Sequence, residues 1–141
     1  MMRGIVRPTK ARLKAFFSQA QNERFLKNPP VYRQGTCDVH YILLGYGHPV
    51  IAYGWIRGWD ENWPDKCLGL LVHPECRGRG YGELTCRFLL QAGKERNLAR
   101  VRLHVDPKNE LALSLYKKVG FAFDGAKRAD GEMIGFYCYE K

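Results

Sequence analysis

The feature that most constrains this chain is a glycine-rich turn, Arg77-Gly78-Arg79-Gly80-Tyr81-Gly82, between two regular elements. An apolar, strand-like run at residues 67–72 precedes the turn, and a segment with helical periodicity follows it. Glycines at a strand-to-helix turn let backbone N–H groups point at an anion, and the helix N-terminus adds positive potential. Arg77 and Arg79 supply planar donors that suit phosphate. The turn therefore predicts a pyrophosphate site.

Length and composition set the broad class of protein. The 141 residues fit one domain, residues 1–141, that can bury a core without disulfide bonds. The five cysteines are scattered and form no CxxC pair, so we interpret them as reduced thiols and expect no metal site. No apolar run is long enough to span a membrane, and the first residues lack a signal-peptide pattern. We therefore expect a cytoplasmic protein with no membrane partner.

The net charge of +9 leaves several classes of partner open. Such a surface attracts a phosphate-rich cofactor, an acidic substrate or nucleic acid. The sequence contains no RNA- or DNA-binding motif, and its basic residues are spread along the chain rather than clustered. A basic nucleic-acid-binding protein is therefore an alternative function that we do not expect.

Hydrophobic periodicity and turn residues predict the order of the elements. Strands are predicted at residues 3–7, 39–44, 50–57, 67–72, 100–105, 121–124 and 133–140. Helices are predicted at residues 9–20 and 22–26, after the glycine turn, and between a cap at Asn109 and a stop at Gly120. Hairpins followed by a β-α-β-α-β order predict an α/β fold. Its mixed, mostly antiparallel sheet should have about six or seven strands flanked by about four helices.

The same periodicity predicts which helix faces are buried. After the glycine turn, the predicted inward residues are Tyr81, Leu84, Thr85, Phe88, Leu89 and Ala92. In the following helix they are Leu111, Ala112, Leu115 and Val119.

The spacing of the glycines excludes two common nucleotide sites. A dinucleotide fingerprint needs a third glycine where this chain has Glu83. A P-loop ends in Gly-Lys-Ser or Gly-Lys-Thr, and neither tripeptide occurs here. The pattern that remains is Arg-x-x-Gly-x-Gly, filled by Arg77, Gly80 and Gly82.

Two segments together resemble one known family. The glycine turn, preceded by Leu70-Leu71-Val72-His73-Pro74-Glu75, resembles the coenzyme A pyrophosphate loop of the GNAT family of N-acetyltransferases. A second segment, Asn109-x-x-Ala112-x-x-Leu115-Tyr116-x-Lys118-x-Gly120-Phe121, is similar to the same family. The resemblance implies a single GNAT domain and an N-acetyltransferase. Such an enzyme moves an acetyl group from acetyl-CoA to a primary amine by direct attack.

The resemblance also implies which residues bind the donor. The backbone of the strand at Leu70, Leu71 and Val72 would pair with the pantetheine arm, and Asn109 would contact it while capping its helix. The pyrophosphate would be held by the turn: Arg77, Gly78, Arg79, Gly80, Tyr81 and Gly82.

Two side chains are candidate catalytic residues. Tyr116 matches the family position that donates a proton to the leaving sulfur, although it could equally be a core aromatic residue. His104 occupies a strand position where many family members place a glutamate base, and an imidazole can remove a proton directly or through water. A merely hydrogen-bonded strand histidine is the alternative, and Glu75 is a weaker candidate base.

The acceptor side is less constrained by sequence. Residues 59–65 concentrate acids and indoles in a basic protein, so Trp59, Asp60 and Glu61 are predicted to bind a cationic amine. An exposed turn is the alternative. The acceptor could be a small amine, an amino sugar, or a protein N-terminus or lysine. The acyl length, a homodimer and a non-catalytic CoA-binding role all stay open.

Overall fold

The computed structural model describes residues 2–6, 11, 36–45 and 48–139. Within them lie seven strands: β1 Met2–Val6, β2 Val39–Gly45, β3 His48–Arg57, β4 Lys66–Val72, β5 Arg100–Val105, β6 Ala122–Lys127 and β7 Met133–Cys138. Helix α1, Tyr81–Glu95, connects β4 to β5, and helix α2, Glu110–Val119, connects β5 to β6. A short 3-10 turn, Pro74–Cys76, follows β4. The helices predicted at residues 9–20 and 22–26 lie outside the described residues, apart from residue 11.

The seven strands form one sheet in the order β1-β2-β3-β4-β5-β7-β6. Every neighbouring pair is antiparallel except β4 and β5, which are parallel. The predicted α/β fold with a mixed, mostly antiparallel sheet is therefore confirmed. The bounds of β5 agree with the prediction, and the other strands differ by a few residues at their ends.

The parallel strands β4 and β5 are paired over a short length only, and the sheet is open between them beyond that point. Strands β4 and β5 are paired only at Lys66 with Val101 and at Cys67 with Arg102. On their other sides, β4 stays paired with β3 as far as Val72, and β5 stays paired with β7 as far as Val105. Beyond Cys67, the facing edges of β4 and β5 have no strand partner in the described part of the chain. A gap therefore lies between the ends of these two strands.

Both helices pack on one face of the sheet. The main core joins Ile56, Leu68 and Val101 from the strands to Leu89 of α1 and Val119 of α2. Gly54 permits this close approach, because a Cβ atom there would lie 2.6 Å from Leu89 Cδ1. Since side chains alternate along a strand, the neighbours of Gly54 on β3, Tyr53 and Trp55, face away from the helices.

The predicted buried faces of the two helices are confirmed at Thr85, Leu89 and Val119 and are wrong at other positions. In α1 the buried residues are Thr85, Cys86, Leu89, Leu90 and Gly93. Leu84 and Phe88 are instead 37% and 38% exposed, and Leu111 of α2 is 87% exposed. The contact with β3 is made by Leu89 and Thr85, which lie against Gly54 of the strand, so the face of α1 centred on these two residues is the one that is buried. Phe88 packs edge-on against Tyr41 at the margin, with ring centroids 5.0 Å apart.

The contact between Trp55 and Gly69 gives a test of the fold. These residues are cross-strand partners, and a Cβ atom on Gly69 would lie 2.2 Å from Trp55 Cζ2. Gly69→Ala must therefore displace the indole, and we expect it to lower the free energy of unfolding by about 1–3 kcal/mol, as overpacked cores do. Urea-induced unfolding measures this change. An unchanged midpoint would contradict the packing of Trp55 on β4.

Candidate functional site

The first of two cavities lies at the gap between β4 and β5, beside the glycine turn, and we call it the glycine-loop cavity. Its volume is about 490 Å³. The predicted donor-binding residues that line it are Leu70, Leu71, Val72, Arg77, Gly78, Gly80, Tyr81, Gly82 and Asn109. Arg79 is exposed and is not part of the lining. The structure thus brings together two sequence segments that were matched separately.

The backbone of the turn explains its glycines. Gly78 and Gly80 have φ values of +77° and +84°, in the left-handed region that favours glycine. Gly80 is the N-cap of α1, and no side chain caps that helix start. The first N–H groups of α1 and its positive dipole end can therefore serve an anion. At Gly82 a Cβ atom would lie 3.2 Å from Leu115 Cδ2, so this glycine lets α1 approach α2.

Positive side chains surround the same helix start. Arg77 Nε donates to the Val72 carbonyl at 3.3 Å and holds the turn against the end of β4. Glu83, in the first turn of α1, pairs with Lys118 at 2.8 Å and with Arg87 at 3.0 Å. Both hydrogen bonds lower the pKa of Glu83 below its usual value, and the one from Lys118 has the larger effect. Its negative charge is thus compensated beside the anion-binding end of α1.

Tyr116 reaches the glycine-loop cavity from α2. The residue is buried, and its ring packs edge-on against Phe121 with centroids 5.7 Å apart. Burial raises the pKa of the phenol above its ordinary value, so the group stays protonated at neutral pH. Within the described residues its hydroxyl has no hydrogen-bond partner.

Helix α2 is capped as predicted, since Asn109 Oδ1 accepts from the Ala112 N–H at 3.2 Å and Gly120 has φ +115°.

The second cavity has a volume of about 460 Å³, and we call it the arginine cavity. It is lined by Trp55, Arg57, Trp63, Pro64, Asp65, Cys67, Arg102, His104 and Arg128. Because Trp55 faces away from the helices, this cavity opens on the opposite face of the sheet. His104 lines both cavities and so lies where they meet.

His104 is held between two guanidinium groups. Arg102 Nε donates to its Nε2 at 2.8 Å, and Arg128 Nη1 lies 3.1 Å from its Nδ1. Burial lowers the pKa of His104 to about 4, with further contributions from Arg128 and Arg102. The imidazole is therefore neutral at physiological pH, and it is a much weaker base than an ordinary histidine.

The thiol of Cys67 lies close to the imidazole of His104. Its Sγ lies 3.9 Å from His104 Nδ1. Burial raises the pKa of this thiol to about 11. Cys67 is therefore a thiol rather than a thiolate at neutral pH, and the pair lacks the activated sulfur that a covalent mechanism needs.

The three residues predicted to bind the acceptor line neither cavity. Trp59 lies beneath Arg96, whose Cζ is 4.6 Å from the ring centroid. Asp60 accepts from the Cys37 N–H at 2.8 Å and from the Thr36 hydroxyl, and Glu61 pairs with Arg57 at 2.9 Å. The carboxylates of Asp60 and Glu61 are thus engaged in contacts within the protein at its surface, outside both cavities. Glu75 is exposed and also lines neither cavity.

Comparison with known proteins places the chain in a family. The sequence profile described as the acetyltransferase (GNAT) family matches residues 10–121. The chain belongs to the GNAT acetyltransferase family. It is 28% identical over 89 residues to a Bacillus subtilis (strain 168) protein named "Putative [ribosomal protein bS18]-alanine N-acetyltransferase". That match covers 63% of this chain and 58% of the relative, so the chain spans little more than half the relative's length.

Solved structures of similar proteins agree with this fold. The ribosomal-protein-S18-alanine N-acetyltransferase from Escherichia coli superposes with a TM-score of 0.68 at 20% identity, covering 96% of this chain and 91% of that one. The Salmonella typhimurium protein yncA, solved with its cofactor acetyl-CoA, superposes with a TM-score of 0.74 at 16% identity, covering 100% and 95%. At these identities the likeness shows the GNAT fold.

Several residues that line the arginine cavity were not named as site residues from the sequence. The arginine cavity takes Arg57 from β3, Trp63 from the following loop, Arg102 from β5 and Arg128 from the turn after β6. The sequence carried two signals. Residues 59–65, predicted to bind the acceptor, contribute Trp63, Pro64 and Asp65 to the lining, and in β5 Arg102 and His104 interrupt buried apolar neighbours. Arg57 and Arg128 reach the same cavity only through the fold of the chain.

Two further features of the described residues bear on the chemistry. They contain no cluster of three His, Cys, Asp or Glu side chains placed to hold a metal ion, and all five cysteines are unpaired thiols. No helix in this part of the chain has the length and apolar character needed to cross a bilayer.

The lowered pKa of His104 predicts a pH dependence of stability. The unfolded histidine titrates near 6.5 and the folded one near 4, so the unfolded state binds more protons between these values. The contribution of His104 to stability is therefore present above pH 6.5 and is lost as the pH falls towards 4. When the pH is lowered from about 7 to about 5, we expect the melting temperature of His104→Gln to fall less than that of the unchanged protein. Thermal unfolding at both pH values measures the difference, and parallel losses would contradict a neutral buried imidazole.

Proposed function

We propose that this chain is an N-acetyltransferase that moves an acetyl group from acetyl-CoA to a primary amine by direct attack. The observation that carries the proposal is the gap between β4 and β5, beside which two cavities of different chemistry share His104 in their lining. One cavity has an anion-binding helix start and a protonated tyrosine, and the other has room for an acceptor. Membership of the GNAT family supports the same reaction.

The glycine-loop cavity fits acetyl-CoA. The positive-φ glycines and the uncapped start of α1 suit the pyrophosphate, with Arg77 and Lys118 adding positive charge. The edge of β4 that faces the gap can offer backbone hydrogen bonds to the amides of the pantetheine arm. Bound acetyl-CoA would supply the thioester whose acyl group is transferred.

Tyr116 and His104 take different roles in this proposal. The phenol of Tyr116 is protonated and unpartnered among the described residues, so it can give a proton to the departing sulfur. His104 is neutral where the cavities meet and can accept a proton as the amine bonds to the acyl carbon. The protonated Cys67 thiol supports direct transfer rather than an acyl-cysteine.

The basicity of His104 limits how the amine arrives. A lysine-like ammonium has a pKa of about 10.4, some six units above that of His104, so the imidazole is a poor base for it. We therefore propose that the acceptor binds as the free amine. An α-amino group, with a pKa of about 7.7–8.0, provides far more free amine at neutral pH than a lysine side chain. Two of the similar proteins are named as ribosomal-protein-alanine N-acetyltransferases, and these names point to acceptors of this kind.

Donor binding is tested by a matched pair of glycine variants. Gly80 and Gly125 have φ values of +84° and +93°, and a Cβ atom would meet nothing within 4 Å at either. Gly80→Ala and Gly125→Ala therefore impose similar backbone strain, but only Gly80 lines the glycine-loop cavity. We expect Gly80→Ala to raise the Kd for acetyl-CoA about tenfold or more, as loss of charge-assisted hydrogen bonds does. Calorimetric titration measures this, and equal effects of the two variants would contradict the site.

The role of Tyr116 is tested by removing one hydroxyl. Tyr116→Phe should lower kcat by about a hundredfold or more, because it removes a general acid, and should leave the Kd for acetyl-CoA nearly unchanged. Tyr137→Phe is the control, since Tyr137 also packs against Phe121 at 5.7 Å but lines neither cavity. Release of free thiol from acetyl-CoA with a panel of amines measures the rate. Binding of acetyl-CoA without thiol release for any amine would instead indicate a non-catalytic CoA-binding protein.

A further inference from the structure

We infer that the acceptor amine also carries an anionic group, a carboxylate or phosphate a few bonds from the nitrogen, and that Arg102 binds this group in the arginine cavity. The inference rests on the proposed function, because it names the class of acceptor. It replaces a cationic acceptor with one of opposite charge.

The charge distribution of the cavity is the first argument. Three guanidinium groups line it, from Arg57, Arg102 and Arg128, with Asp65 as the one lining carboxylate among the described residues. Asp65 is held by two 2.9 Å hydrogen bonds from Arg100 and is thus neutralised. The charged groups that line the cavity thus carry a net positive charge, which disfavours a cationic acceptor.

Arg102 is the guanidinium best placed to bind an anion. Arg57 pairs with Glu61 at 2.9 Å, and Arg128 pairs with Glu132 at 3.5 Å. Within the described residues no carboxylate pairs with Arg102, whose Nε donates instead to neutral His104. This half-buried cation retains donors that suit a carboxylate or phosphate.

The hydrogen bonding around His104 is a second, independent argument. A neutral imidazole has one N–H and one acceptor nitrogen, so it can accept from only one of the two arginines that lie within 3.1 Å of its ring nitrogens. The other arginine must direct a donor at an N–H group. An anion in the cavity would offer acceptors to both guanidinium groups and relieve this conflict.

The walls of the cavity suit a small acceptor. Trp55 and Trp63 supply indole surfaces for an apolar side chain, and the volume of about 460 Å³ is in the range of small-molecule sites. His104 then lies between the anion at Arg102 and the glycine-loop cavity. A compact amino acid and a peptide N-terminus followed by an acidic residue both present this chemistry, and the α-amino pKa of about 7.7–8.0 favours the peptide as the source of free amine.

The inference is tested first by transfer rates with matched acceptors. Alanine, methionine and phenylalanine are compared with their primary amides, which keep the amine and the side chain but lack the carboxylate. We expect kcat/KM, corrected for the fraction of free amine, to be about tenfold to a hundredfold higher for the acids, as expected for hydrogen bonds to a charged group. The dipeptide amides Ala-Asp and Ala-Asn form a second arm, which distinguishes a peptide source of the carboxylate from a free amino acid.

Binding provides a readout that does not need turnover. Tryptophan fluorescence is followed in the presence of coenzyme A while the N-acetylated acids, or their amides, are titrated. Arg102→Gln should abolish the preference for the acids, and Arg102→Lys should restore part of it. Arg96→Gln is the matched control, because Arg96 lines neither cavity, and it should retain the full preference.

The two claims fail in different ways. Acetyl transfer with no preference for acids or for Ala-Asp would overturn the anionic acceptor and leave the acetyltransferase proposal standing. A preference for acids in binding, lost in Arg102→Gln, with no transfer to any amine, would support the anion site and overturn the transferase. A preference that survives in Arg102→Gln would remove Arg102 from the site.

Discussion

The rest of the structure depends on the early separation of β4 and β5. Two neighbouring parallel strands would ordinarily pair along their length, yet these two pair only at Lys66–Val101 and Cys67–Arg102. The separation leaves backbone edges inside the protein that a ligand can satisfy. Because α1 follows β4 and α2 follows β5, both helices begin near the same opening, as ligand sites of α/β sheets require. One interruption of the sheet thus creates the gap and brings both helix N-termini to it.

The conformation of the glycine turn and the ends of α2 could be predicted from sequence because their determinants are local. The positive φ values of Gly78 and Gly80, the cap at Asn109 and the stop at Gly120 all follow from short-range sterics and hydrogen bonding. The buried face of α1 could not be predicted in the same way. Leu89 and Thr85 meet Gly54 of β3, and Gly93 lies beside Tyr139, so the buried face is decided by residues that are distant in the sequence.

The lining of the arginine cavity, which we propose as the acceptor site, could be predicted only in part. The segment at residues 59–65 contributes Trp63 and Asp65 to it, whereas Arg57, Arg102 and Arg128 meet there only through the fold. Composition located carboxylates at Asp60 and Glu61, but it carried no information on their partners. In the fold, Asp60 holds the segment at Thr36 and Cys37, while Glu61 neutralises Arg57. The arginines left to face the second cavity come from separate segments of the chain, and the field that they create is a property of the folded protein alone.

That field links acceptor selectivity to the basicity of His104. Burial lowers the pKa of the imidazole most, and Arg128 and Arg102 lower it further, because a second positive charge beside two guanidinium groups is unfavourable. An anion bound at Arg102 would oppose the same positive field and would raise the pKa of His104 towards its ordinary value. A free amine with its own carboxylate would therefore improve the base that accepts its proton. A cationic acceptor would have the opposite effect, so the site that we propose would discriminate by charge in binding and in proton transfer together.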